Sequence, residues 1–187
     1  MAETIRIETP FTEEKSRKLH VGDSVLITGT IISARDAAHK RMCEALARGE
    51  KLPVDWTDQM VYYLGPTPAK PGDPIGSCGP TTSGRMDAYT PTMLAQGIKG
   101  MIGKGSRAPE VIEAMKKYGV TYFAAVGGAA ALIAKSVKKY EVLAYPDLGP
   151  EAVARLTVVD FPAIVVIDCE GNNFYEIGQK PYRTLKL

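Results

Sequence analysis

The sequence predicts an α/β domain on a mixed or layered sheet, and three observations carry that prediction. Strand-like and helix-like stretches alternate through the middle of the chain. The C-terminal part then becomes rich in strand-like runs. Finally, 187 residues suffice for one well-buried core and are few for two, so the expectation is one domain over 1–187, with 1–20 as an N-terminal arm.

Each element has its own local reason. Residues 4–8 alternate as a strand does, and 11–19 suit a short helix. Residues 24–33 are rich in β-branched and apolar side chains and predict a strand that runs through Ala34-Arg35-Asp36 into a helix over 37–48, where Ala38, Met42, Cys43, Leu46 and Ala47 recur at helical spacing. Residues 60–64 predict a short strand, followed by a proline- and glycine-rich loop over 65–84, a length that in a compact domain signals function or disorder. A helix is expected over 85–96, bent at Pro91 or entered there, with Gly97 ending it. Residues 98–102 predict a strand ending in Gly103-Lys104-Gly105, and 108–118 an amphipathic helix closed by Gly119.

The pattern then repeats with a strand over 120–126, an alanine-rich helix over 127–138 and an extended piece over 141–144. Residues 151–156 have helical composition. Strands are expected over 157–160, 163–168 and 173–177, the last two joined by a hairpin turn at Cys169-Glu170-Gly171-Asn172.

Composition narrows the function classes. Charged residues make up 24% and hydrophobic ones 45%, the profile of an ordinary globular protein. A net charge of +2, with basic residues scattered among acidic ones, argues against a nucleic-acid face. No stretch approaches the ~20 apolar residues of a membrane span, and residues 1–17 carry acids without an apolar signal core, so the expectation is a cytoplasmic protein without a membrane partner. Cys43, Cys78 and Cys169 are odd in number and far apart, which argues against a disulfide scaffold and against a zinc or iron–sulfur site held by this chain alone. No metal ligand is therefore assigned.

The densest chemistry lies in Gly76-Ser-Cys-Gly-Pro-Thr-Thr-Ser-Gly-Arg85, which gathers backbone donors, hydroxyls and a guanidinium ahead of a helical segment. Such a loop is a socket for a carboxylate or phosphate. Gly79–Gly84 matches the glycine spacing of a phosphate-binding loop, but Arg85-Met86 stands where Lys and Ser/Thr are required, and Pro80 lacks an N–H donor. Thr81, Thr82 and Ser83 supply hydroxyls, whether to a ligand or only to cap the next helix, and the planar fork of Arg85 suits a carboxylate. Arg35 and Lys104 stand at the ends of two other strands, so the three cations together suit a ligand with more than one carboxylate. His39 shares a helical face with Arg35 and Asp36 and can orient Asp36 or move a proton. Asp87 and Tyr89 carry no specific signal. Cys78 reads as a small buried residue, with a nucleophile assisted by His39 as the rival.

Thr28-Gly-Thr-Ile-Ile-Ser-Ala-Arg-Asp-Ala-Ala-His39, Gly79-Pro-Thr-Thr-Ser-Gly-Arg-Met-Asp87 and Gly103-Lys-Gly105 together resemble the iron–sulfur (class I) fumarase and L-tartrate dehydratase family, in its beta subunit or the C-terminal part of single-chain members. The resemblance continues through Gly149-Pro-Glu-Ala-Val153 and Val159-Asp-Phe-Pro-Ala163, covering about 21–178. It implies a three-layer swivelling β/β/α domain that is active only with an alpha subunit holding a [4Fe–4S] cluster, in an α2β2 assembly. By the same resemblance Arg35, Arg85 and Lys104 hold a small dicarboxylate, Thr81 lies near the carbon-bound proton, and Asp36 and His39 support Arg35 from behind. The implied reaction is reversible hydration of fumarate to malate. Tartrate dehydration is the near alternative, and a non-catalytic anion-binding module the distant one.

Overall fold

The computed structural model describes residues 4–184. Its strands are β1 (Ile5–Glu8), β2 (Ser24–Ser33), β3 (Met60–Tyr62), β4 (Gly100–Gly103), β5 (Thr121–Ala124), β6 (Val137–Ala144) and β7 (Val153–Ile167). Its helices are α1 (Glu13–Ser16), α2 (Asp36–Ala47), α3 (Thr90–Leu94), α4 (Pro109–Tyr118), α5 (Ala130–Ser136) and α6 (Phe174–Ile177), with 3-10 turns at Ser83–Met86, Pro146–Glu151 and Lys180–Tyr182. The expected α/β class with a mixed sheet is what forms.

Strands β1 and β3 both pair with β2 in parallel, and β3, β4 and β5 continue the parallel set. Strand β7 runs antiparallel to β5, β6 and β2, from Ser24↔Ile164 to Ser33↔Ala154. The series β2-β3-β4-β5-β7 thus returns to β2. The β2–β7 register shifts between Ile27 and Gly29. Gly29 sits there at φ +122°, and a Cβ on it would lie 2.2 Å from Thr9 Oγ1, which accepts the Thr30 N–H.

Alternation along the parallel strands builds two apolar cores on opposite faces. Met60, Tyr62, Ile102 and Phe123 point into one, with Ile27, Ile31, Val158, Phe161 and Val165 from the antiparallel strands. Val61, Tyr63, Met101 and Tyr122 point into the other, against Met42, Met93, Val111 and Met115 from the helices. The N-terminal stretch is built in: β1 pairs with β2, and buried Phe11 meets Phe123 edge-on at 5.6 Å.

Five expectations differ from the structure. Residues 153–156 belong to β7 rather than to a helix, because Val153, Ala154 and Leu156 are fully buried and pair with β6, which outweighs weak local helix preference. Strand β7 is continuous through 157–167, and β6 begins at Val137, where a helix end was expected. Residues 173–177 form α6 instead of a strand, since Asn173 Oδ1 accepts the Tyr175 N–H and caps it. The expected 85–96 helix is split into the 3-10 turn and α3, with Pro91 in the first turn of α3. The turn at 169–172 does form, with Asp168 accepting the Glu170 and Asn172 N–H groups.

Candidate functional site

Three neighbouring parallel strands end on the same side and deliver most of the expected residues together. Arg35 follows β2 as the N-cap residue of α2, Asp36 opens that helix, and Lys104 follows β4. The long loop returns to this edge: Thr81 N–H donates to the Tyr63 carbonyl just past β3 at 2.7 Å, and Thr82 forms a parallel bridge with Lys104. The chain ends of adjacent parallel strands are where open α/β sheets gather ligands. Tyr62 holds the loop from below, its hydroxyl donating to the Cys78 carbonyl.

The guanidinium groups are oriented by carboxylates. Arg85 Nε donates to Asp36 Oδ1 at 2.8 Å, and no other hydrogen bond of its guanidinium forms among the described residues. Its side chain is 53% exposed, so its two terminal nitrogens face outward as a free fork. Arg35 is more enclosed, at 19% exposure, with Nε 3.6 Å from Asp36 Oδ2 and Nη2 3.3 Å from Glu151 Oε1. The other Glu151 oxygen accepts the Ala37 N–H at 2.9 Å, at the electropositive start of α2. Gly65 makes room for this arginine, since a Cβ there would lie 2.3 Å from Arg35 Nη1. Lys104 is exposed and enters no ion pair among the described residues.

His39 supports the site without titrating in it. Its ring Nδ1 donates to the Arg35 carbonyl at 2.9 Å, which the His39 backbone N–H also reaches at 2.8 Å. Burial lowers its pKa to about 4, so it is neutral near pH 7 and fixes the Arg35 backbone. A proton-transfer role at neutral pH is thereby disfavoured. Burial likewise pushes the Cys78 thiol up to about 12, making it a poor nucleophile and removing the basis of the Cys78–His39 alternative.

Sequence reasoning missed Glu151 and the groups behind the loop. Arg107, with a fully buried side chain, donates from Nε to Asp87 Oδ1 at 2.7 Å and from Nη2 to Thr90 Oγ1 at 2.7 Å. Ser83 Oγ accepts the Lys104 N–H at 3.1 Å and meets the Tyr122 hydroxyl at 2.9 Å. Glu151 falls within the Gly149–Val153 stretch that carried the resemblance, its one available signal. Asp87 and Arg107 are charged loop residues whose pairing has no local periodicity.

The donor set does not suit an iron–sulfur cluster. The thiols stay separate: Cys78 in one apolar core, Cys43 on α2 and Cys169 in the turn after β7. No group of three or more His, Cys, Asp or Glu that could hold a metal ion forms among the described residues.

Cations steadied by carboxylates at the C-terminal ends of parallel strands mark this as an α/β domain with a cationic strand-end edge. Comparison with known proteins makes that class specific. The family model described as Fumarase C-terminus matches residues 1–178. The aerobic class I fumarate hydratase of Salmonella typhimurium is 39% identical over 180 residues, covering 93% of this chain and 31% of that protein. The anaerobic class I fumarate hydratase of Escherichia coli is 42% identical over 158 residues, covering 83% of this chain and 29% of that protein. A Methanocaldococcus jannaschii protein named putative L(+)-tartrate dehydratase subunit beta is 42% identical over 181 residues, covering 93% of each. The chain thus spans about a third of the length of these two fumarate hydratases and nearly all of the archaeal protein. It belongs to the fumarase C-terminus family.

Proposed function

We propose that this chain is the beta-subunit half of a hydro-lyase that reversibly hydrates fumarate to malate. The observation that carries this reading is the outward fork of Arg85, anchored through Nε to Asp36 beside Thr81 and Lys104. In this reading Arg85 and Lys104 each hold a substrate carboxylate, Arg35 adds positive charge from its enclosed position, and Asp36 and His39 fix the arginines. Loss of a proton beside a carboxylate builds negative charge, which fixed cations stabilise without reorganising. Thr81 lies at the proton-transfer position. Its hydroxyl is a weak base unaided, so the field of Arg85 and Lys104 must lower its pKa, or a partner residue must relay the proton.

An alpha subunit carries the [4Fe–4S] cluster that class I implies, and the two subunits form an α2β2 enzyme in the cytoplasm. The chain itself is one swivelling three-layer domain, a reading supported by the two cores on opposite faces of the parallel strands. Tartrate dehydration is the second reading, favoured by the match along nearly the whole archaeal protein named as a tartrate dehydratase subunit.

The test is anaerobic capture of a tagged copy of this chain from its own cells, followed by assays of fumarate and tartrate consumption and of iron. Fumarate turnover with an iron-containing second chain is the expected result. Turnover of tartrate alone selects the second reading. Neither activity and no iron-containing partner would refute the hydro-lyase and leave a non-catalytic anion-binding module.

A further inference from the structure

The Thr82–Asp87 turn and the Gly103–Ala108 loop carry Arg85 and Lys104, and two sets of part-buried bonds join them. Ser83 grips the Lys104 peptide from both sides: the Ser83 N–H donates to the Lys104 carbonyl at 2.9 Å, and the Lys104 N–H donates to Ser83 Oγ at 3.1 Å. At Gly103 a Cβ would lie 1.9 Å from Ser83 Oγ, so a glycine is needed for this approach. At the other end Asp87 takes Arg107 Nε on Oδ1 and the Ala108 N–H on Oδ2, each at 2.7 Å.

Arg107 has spent its donors inward. Its Nη2 serves Thr90 and its Nη1 reaches the Tyr63 hydroxyl at 3.3 Å, while the guanidinium lies 5.3 Å and 5.2 Å from the Tyr63 and Tyr122 ring centroids. A cation this enclosed is no ligand for substrate. The charge-assisted bonds at Asp87 are of the strong class, and each loop is bonded at both ends, which leaves little freedom to slide.

We propose that Asp87 and Arg107 are positioning residues that set the separation of Arg85 and Lys104, and through it the length of dicarboxylate the site accepts. This rests on the reading above, in which those two cations hold the two carboxylates. With the clamp intact, the cations keep one spacing and favour a four-carbon diacid over a five-carbon one. With the clamp loosened, the spacing varies and the preference shrinks. A merely structural role would lower the amount of folded enzyme, which changes the maximal rate but not the ratio of two inhibition constants.

The test uses the assembled enzyme captured with its partner, with succinate and glutarate as competitive inhibitors. Asp87→Asn is expected to lower the ratio of glutarate to succinate inhibition constants at least about threefold. Should that variant fail to fold, Ser83→Ala, which removes only a hydroxyl from the other end of the clamp, is expected to lower it about twofold. An unchanged ratio in a folded variant, with active wild type, would overturn the clamp alone. Wild type that turns over neither fumarate nor tartrate would instead remove the reading beneath it, and the clamp with it.

Discussion

Replacing Arg85 by alanine removes the fork that most directly supports the proposed function. Its Nε is committed to Asp36, so a bound carboxylate would take two charge-assisted hydrogen bonds from the terminal nitrogens. A single hydrogen bond to a charged group contributes roughly 1.5–3 kcal/mol. Because the side chain is 53% exposed, water screens part of this, and about 2–3 kcal/mol for the pair of bonds is the appropriate scale. That corresponds to a fall in kcat/KM of about 30- to 150-fold. The change should hardly affect folding, since Asp36 keeps Arg35 within 3.6 Å and a half-exposed ion pair contributes at most about 1 kcal/mol. The assay is loss of fumarate absorbance by the assembled enzyme, alongside a melting curve. Activity within about threefold of wild type would refute the assignment of Arg85 to the substrate.

Other consequences can be checked independently. His39 has a folded pKa of about 4 against about 6.5 unfolded, so the unfolded state binds the proton first as pH falls and stability is lost between those values. By pH 5 the loss is about 2 kcal/mol, seen in urea unfolding of wild type and absent from the same pH interval in His39→Gln. Phe11→Ala empties a fully buried position against Phe123 and should cost about 3–5 kcal/mol in chemical denaturation, showing that the N-terminal stretch belongs to the core. Cys78 should resist iodoacetamide at neutral pH and react only when the chain is unfolded, as mapped by mass spectrometry of the alkylated peptides.

The β2–α2 junction was legible because both elements have an unbroken local pattern: β-branched residues up to Ser33, then helical spacing from Ala38. That alone placed Arg35 and Asp36 at a strand end, and Gly103-Lys104 followed from β4 in the same way. The loop around Thr81 was legible as chemistry but not as position, because only its return to Tyr63 brings it to the same edge. The first half of strand β6, expected as the end of a helix, escaped because Lys138 and Lys139 interrupt its alternation, and its pairing with β7 decides its state. The Asp87–Arg107 pair was illegible for a different reason. A salt bridge between loops depends on tertiary geometry, and any charged residue looks like surface until its partner is known.

The antiparallel strand β7 pairs with a strand far earlier in the sequence, Ile164 with Ser24 and Ala154 with Ser33. While the protein is being synthesised, the nascent β2 therefore waits with one edge unsatisfied until β7 has left the ribosome. Pairings this distant in sequence slow folding, and an open edge meanwhile invites pairing with a neighbouring chain. A truncation before β7 would leave that edge permanently bare, and its product should accumulate as aggregates rather than as a smaller folded unit.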